Sequence, residues 1–307
     1  MHGAMQLVPL FCFPDTPDLP LPPGHRFPAT KYRLLRGRVA AERVLGGADV
    51  VASPLIAIDD ALRAHDEGYV RDVLEGRLSA DAERRIGIPW SPVLKQRSLA
   101  TVGGALLSAR SALRDGISGQ LAGGTHHAHR DFGSGYCVLN DLAVAALTLL
   151  DAGEVSRVTI LDCDVHQGDG TAAILANEPL VQTISIHGAK NFPYRKHASD
   201  LDIALADEAG DDDYLAALET ALAAVARFSP DLLLYLSGAD ALAVDRLGRL
   251  SLTHRGLAAR DTRVFNFARS RRLPVAIAIG GGYAEPIDAT IEGYVGTFSA
   301  ARRVYVF

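Results

Sequence analysis

From about residue 95 onward, apolar and polar positions fall into regular blocks that alternate between two periodicities. Helical spacing runs through 97–115 (RSLATVGGALLSARSALRD), 138–152, 212–227 and about 253–271, with a short helix at 170–177 and a last one near 284–299. Between them lie short apolar runs at 118–122, 157–165 (RVTILDCDV), 181–187 (VQTISIH), 231–237 (DLLLYLS) and 274–279 (PVAIAI). Strands that are apolar on both faces and alternate with amphipathic helices predict a mostly parallel sheet covered by helices. Residues 14–28 read as Pro-rich loops, and no internal repeat or low-complexity segment interrupts the chain. In open parallel sheets, sites form beyond the carboxyl ends of the strands. Asp164, His166, His187, Asp240 and the GGGY of 280–283 all gather at such ends, which points to one site.

Bulk properties narrow the class. With 307 residues, 48% hydrophobic and 22% charged, the chain has material for a large core, and 1–307 reads as a single α/β domain. A net charge of −5 gives no global attraction for nucleic acid or an anionic membrane, although a local basic rim around one pocket is compatible with it. Three scattered cysteines, Cys12, Cys137 and Cys163, do not make a disulfide framework, so a reducing cytoplasm is expected. The N-terminal stretch has no basic leader, and no run approaches the roughly 20 apolar residues of a membrane helix. Oligomeric state is not legible.

Candidate chemistry begins with ILDCDVHQGDG at 160–170. Strand alternation predicts that Asp162, Asp164 and His166 share one face while Cys163 packs on the other, so Cys163 is not expected to be a ligand. Two buried carboxylates need a metal, hydrogen-bonding partners or both, and Asp164 with His166 offers oxygen and nitrogen donors to a first-row divalent ion. An exposed turn after a strand would account for the same text. Asp240 in LYLSGADAL reads either as a helix cap or as a third ligand that leaves room for water. His126 and His127 stand together in a Gly-flanked loop and could move protons at that water, whereas His129 reads as a surface residue. Tyr283 follows three glycines, which permit close backbone approach and unusual φ, and could donate to a developing oxyanion. The run lacks dinucleotide or P-loop spacing.

In order along the chain, HRFPATKY (25–32), AHDEGYV (64–70), GGTHHAHRDFGSGYCVLND (123–141), LDCDVHQGDGT (161–171), ISIHGAKNFP (184–193), SGADAL (237–242) and GGGY (280–283) resemble the zinc-dependent histone deacetylase family. HRFP-x-x-KY and KNFP-x-R look most like its class IV branch and bacterial relatives. The resemblance implies the arginase/deacetylase fold, a central parallel sheet of about eight strands flanked by helices. It carries the zinc ligands onto Asp164, His166 and Asp240, and the paired histidines onto His126 and His127, with Asp162 and Asp169 as their carboxylates. The transition-state tyrosine falls on Tyr283. A channel for an acyl-lysine side chain would be lined by Gly135 and Tyr136, with Phe192 or Tyr194 opposite. A structural potassium ion would take Asp162, Ser185 and the backbone oxygens of Asp164, His166 and Ile186. In relatives His127 is the more solvent-facing histidine of the pair.

Two departures stand out. Tyr136 replaces a phenylalanine common in relatives, and Asp169 stands where many class IV members have asparagine. A carboxylate there favours a protonated His127. The implied reaction is hydrolysis of an acylated amine, N-ε-acyl-lysine with an acetyl or longer fatty acyl group, giving a carboxylate and a free amine. An acetylpolyamine or other small-molecule amidohydrolase is the alternative, and a non-catalytic acyl-lysine binding module a second. An acidic loop at 207–213 (DEAGDDD) could guard a polyamine site, or simply begin a helix. A two-manganese ureohydrolase is disfavoured because Gly168 stands where a further ligand would be.

Overall fold

The computed structural model describes residues 8–307, so the start of the N-terminal stretch read as carrying no leader lies outside the described residues. Eight strands, β1 (Leu10–Phe13), β2 (Asp49–Ala52), β3 (Ile117–Gln120), β4 (Val158–Asp162), β5 (Val181–Gly188), β6 (Leu201–Leu205), β7 (Leu232–Ser237) and β8 (Val275–Ile279), form one sheet. Its order is β2-β1-β3-β8-β7-β4-β5-β6, and every pairing is parallel. Strand alternation divides the core in two. Leu232, Leu234 and Leu236 of β7 point to one face, and Leu233 and Tyr235 to the other.

Helices α2 (Ile58–Ala64), α3 (Glu67–Glu75), α4 (Ala80–Ile86), α5 (Pro92–Asp115), α6 (Asp141–Asp151) and α7 (Asp169–Leu175) bury their apolar stripes on the first face. Helices α1 (Lys31–Ala41), α8 (Asp211–Phe228), α9 (His254–Arg271) and α10 (Asp288–Tyr305) cover the second. This is the open parallel α/β architecture the sequence predicts. Helix α5 starts earlier than its periodicity suggests, because Ser91 accepts from Leu94 N at 3.1 Å and Pro92 sits at the first helical position. Helix α10 starts later, after Pro286, and runs to Tyr305.

Three strands and four helices have no clear counterpart in the periodicity. β2 is exposed throughout and β6 nowhere fully buried, as befits the two edges of the sheet. β1 has only four residues. In α1 only Lys31, Leu35 and Val39 are buried, too narrow a stripe to show in the sequence. Among the described residues, no helix is long and apolar enough to cross a membrane.

Candidate functional site

The carboxyl ends of β3, β8, β7 and β4 are adjacent in the sheet, and the segments that leave them meet at the floor of one cavity of about 810 Å³. His126, His127, Asp164, His166, Gly280, Gly281 and Tyr283 border it, as do Gly135, Tyr136, Phe192 and Tyr194.

β4 ends at Asp162, three residues before the sequence suggests, so Asp164 and His166 lie in the bend that follows. Side-chain turns, not strand alternation, bring the three residues together. Asp162 Oδ1 accepts from Asp164 N at 3.0 Å, and Asp164 Oδ1 accepts from His166 N at 2.9 Å. Cys163 is fully buried in the opposite core with Leu161 and Val165, as expected. Asp240, also fully buried, reaches across from β7 and accepts from Val165 N at 2.9 Å.

The ligating atoms of Asp164, His166 and Asp240 lie within 4.8 Å of one another. His166 Nδ1 faces Asp164 Oδ1 at 2.9 Å and Asp240 Oδ2 at 3.1 Å. One ring nitrogen carries at most one hydrogen, so two carboxylate oxygens converging on it describe a cation position better than a hydrogen-bond pair. The charges agree. Burial, reinforced by Asp164, drives Asp240 up to about 7. Burial opposes a proton on His166, yet Asp164 and Asp240 together raise it to about 10. Two oxygens and one nitrogen with an open side facing the cavity fit a divalent ion such as zinc.

Close backbone approach closes the floor. A Cβ on Gly281 would lie 1.9 Å from Asp240 Oδ2, so no larger residue fits. The GGGY turn obtains its closeness without positive φ, contrary to the expectation of unusual φ there. Asp245 fixes the turn by accepting from Tyr283 N at 2.6 Å, while the single Tyr294 O–H is shared between the carbonyls of Gly280 and Gly281 at 2.7 and 2.9 Å.

The histidines form two separate carboxylate pairs. His126 Nδ1 contacts Asp162 Oδ2, and His127 Nδ1 contacts Asp169 Oδ1, both at 2.6 Å. Burial disfavours a charged His126, but Asp162 and Asp164 outweigh it and raise it to about 9. Burial and the neighbouring His126 push His127 down to about 4 despite Asp169. The protonation expected from a full carboxylate therefore settles on His126. Both histidines are buried, the His127 side chain 6% exposed and the His126 side chain 4%, and the Phe192 ring stands edge-on to His127 at 4.9 Å. His129 is not a surface residue. It is buried, and its Nε2 shares Asp169 with His127 at 3.0 Å.

The channel positions divide by exposure. Tyr136, held at φ +68°, packs against Phe27 at 5.2 Å and Tyr283 at 5.9 Å, with Phe192 beside His127 across the cavity. Tyr194 is 94% exposed at the mouth. At the implied potassium position, Asp162 and Ser185 are paired across β4 and β5, and Ser185 Oγ contacts His187 Nδ1 at 3.0 Å. Gly168, read as a missing second-metal ligand, has no room for one, since a Cβ there would meet Asp162 Oδ2 at 2.4 Å.

Several residues that hold the site have no local sequence signal. Asp141 accepts from Gly124 N, Thr125 N and Thr125 Oγ1, each at 2.9 Å. Asn140 Nδ2 donates to Ala128 O at 3.1 Å, and its own backbone N donates to His65 Nε2 at 2.8 Å. Buried Arg260 donates to the carbonyls of Gly238 at 2.7 Å and Cys163 at 3.4 Å, close in sequence to Asp240 and Asp164. Only the blocks AHDEGYV and VLND, read through the resemblance, touch any of these residues.

Comparison with known proteins agrees with this geometry. The histone deacetylase domain matches residues 25–296. An uncharacterized protein of Picosynechococcus sp. is 42% identical over 287 residues, covering 93% of this chain and 96% of that protein. Histone deacetylase 2 of Arabidopsis thaliana is 29% identical over 273 residues, covering 84% of this chain and 70% of the relative. A probable deacetylase of Archaeoglobus fulgidus is 28% identical over 244 residues, covering 74% and 67%. A domain match over most of the length, on an open parallel sheet with a buried Asp-His-Asp group at its strand ends, makes this chain a member of the histone deacetylase family.

Proposed function

We propose that the protein hydrolyses the amide of an N-ε-acyl-lysine, acetyl or longer fatty acyl, with one zinc ion held by Asp164, His166 and Asp240. The observation that carries this reading is the meeting of that donor set with two histidines, each held by its own carboxylate, and Tyr283 at one cavity floor. A bound divalent ion supplies a Lewis acid for the amide carbonyl and lowers the pKa of a coordinated water.

The side chains supply the rest. His127 is neutral at pH 7, and with Nδ1–H directed at Asp169 its Nε2 is free to take a proton from the attacking water and pass it to the leaving amine. His126 keeps its proton beside Asp162 and offers fixed positive charge to the developing anion. The Tyr283 hydroxyl donates to the same oxygen. Gly135, Tyr136 and Phe192 enclose the lysine stem, with Tyr194 at the entrance. A structural potassium ion on Asp162, Ser185 and the carbonyls of Asp164, His166 and Ile186 is part of the proposal, supported by the β4–β5 register that sets Asp162 beside Ser185. One sheet built from both ends of the chain supports treating 1–307 as a single catalytic domain. A class IV-like, cytoplasmic enzyme is the corresponding assignment.

The test is turnover of zinc-loaded protein on one lysine peptide carrying acetyl, octanoyl or myristoyl groups, with acetylspermidine alongside. Hydrolysis of the peptides supports the reading, and their rank gives the acyl length. Hydrolysis of acetylspermidine alone would transfer it to a polyamine amidohydrolase. Tight acyl-peptide binding with zinc present and no turnover would make it a binding module.

A further inference from the structure

The chain carries a net charge of −5, yet the mouth of its cavity is basic. Arg26, Arg84, Arg85, Lys190, Arg246 and Arg249 border the opening, and all six are exposed. They come from four separate segments: the loop before α1, the end of α4, the loop after β5 and the loop after Asp240. The only carboxylate among the described lining residues is Asp164, at the floor.

Nearby acids do not cancel this rim. Arg84 pairs with Asp81, Arg246 pairs with Glu285 at 2.8 Å, and Lys190 and Arg249 share Asp207 at 3.3 and 3.1 Å. Among the described residues, Arg26 and Arg85 have no ion-pair partner, and Arg85 lies over the Phe132 ring at 4.6 Å. Six cations against three carboxylates leave three positive charges in excess. No acid of 207–213 borders the cavity: Asp207 is turned toward Lys190 and Arg249, and Asp211, the first residue of α8, accepts from Thr253 N and Oγ1.

Exposed charges of this kind contribute little individually, but a ring of one sign around a cleft steers and retains a ligand of opposite sign. The cations are spread over separate segments, and none is buried against a phosphate-sized cleft. Cations drawn from four segments around the mouth suit an extended chain lying across it, with carboxylates on either side of the reacting residue, better than one compact anion. A polyamine or a lysine-rich tail would meet repulsion there.

We infer that the physiological substrate presents its acyl-lysine within an acidic polypeptide segment, whose carboxylates are read by the rim of Arg26, Arg84, Arg85, Lys190, Arg246 and Arg249. This rests on the amidohydrolase reading above and names the carrier for that reaction.

The test uses acyl-lysine peptides that differ only in Asp/Glu, Ser/Gly or Lys/Arg flanks, assayed on the full zinc-loaded chain at about 20 mM and about 300 mM salt. The expected order of kcat/KM is acidic, neutral, basic. At low salt the extremes should differ by about 10-fold or more, mainly through KM, and the gap should shrink at high salt. An Arg26→Glu/Arg85→Glu double variant should reduce the acidic-to-basic ratio. Equal rates, or a preference for basic flanks, would overturn the inference. So would sedimentation of the protein with phosphatidylserine vesicles at salt levels where acidic peptides do not bind, which would make the rim a membrane contact. Fluorescence anisotropy of the same peptides reads the rim even if none is hydrolysed, so failure of the chemistry and failure of the rim are told apart.

Discussion

His65 lies outside the cavity lining, yet the geometry makes it the pin of the histidine loop. Its Nε2 receives the backbone N–H of Asn140 at 2.8 Å, which only an unprotonated nitrogen can do. Its Nδ1–H therefore donates to His129 O at 2.9 Å, and the ring is neutral. Burial lowers its pKa to about 4, from 6.5. In His65→Leu, one buried N–H and one buried C=O lose their partner, at about 1–3 kcal/mol each, so a loss of about 2–6 kcal/mol is expected at pH 7. The pH dependence has a definite sign. The unfolded chain binds a proton at this site more readily than the folded one, so wild-type stability falls as pH drops below 6.5 toward 4. Between pH 7 and pH 5 this single group removes about 2 kcal/mol. Urea denaturation of both proteins at the two pH values gives the comparison. The gap between wild type and variant should narrow by about that amount at pH 5. A gap that stays constant or widens would refute the neutral, buried assignment.

Other consequences can be checked on the same preparations. Tyr283→Phe should lower kcat by about 10²–10³-fold while zinc content stays at one per chain, and unchanged turnover would remove the hydroxyl from the chemistry. Gly281→Ala drives a methyl into Asp240 Oδ2, so zinc affinity measured by competition with a chelator should weaken by about 10–100-fold. Arg260→Met strips Asp261 of its buried cation and frees the carbonyls of Gly238 and Cys163, with an expected loss of about 3–5 kcal/mol in chemical denaturation. A loss under about 1 kcal/mol would mean that the pair is replaceable.

The central strands were legible because β4, β7 and β8 are buried on both faces and read as continuous apolar runs. The edges were not: β2 and β6 face solvent enough to read as loops. At the site, Asp164, His166 and Asp240 were identifiable as charges placed where apolar residues should continue. The reason they converge was not, because side-chain turns after a shortened strand do the work assigned to alternation. His129 read as a surface residue because nothing local records its sharing of Asp169, 40 positions away. Arg260 hid in an ordinary helix for the same reason, since its partners lie at the end of β7 and just after β7 and β4. Pairings of this length appear only once the sheet order is known.

The most direct measurement is a zinc titration of the metal-free protein with acyl-lysine hydrolysis as the readout. Activity should rise linearly and stop at one equivalent, and Asp240→Asn should give neither the break nor the activity. Hydrolysis without metal, a break at two equivalents, or full activity in Asp240→Asn would contradict the assignment of Asp164, His166 and Asp240 as a single-ion catalytic site.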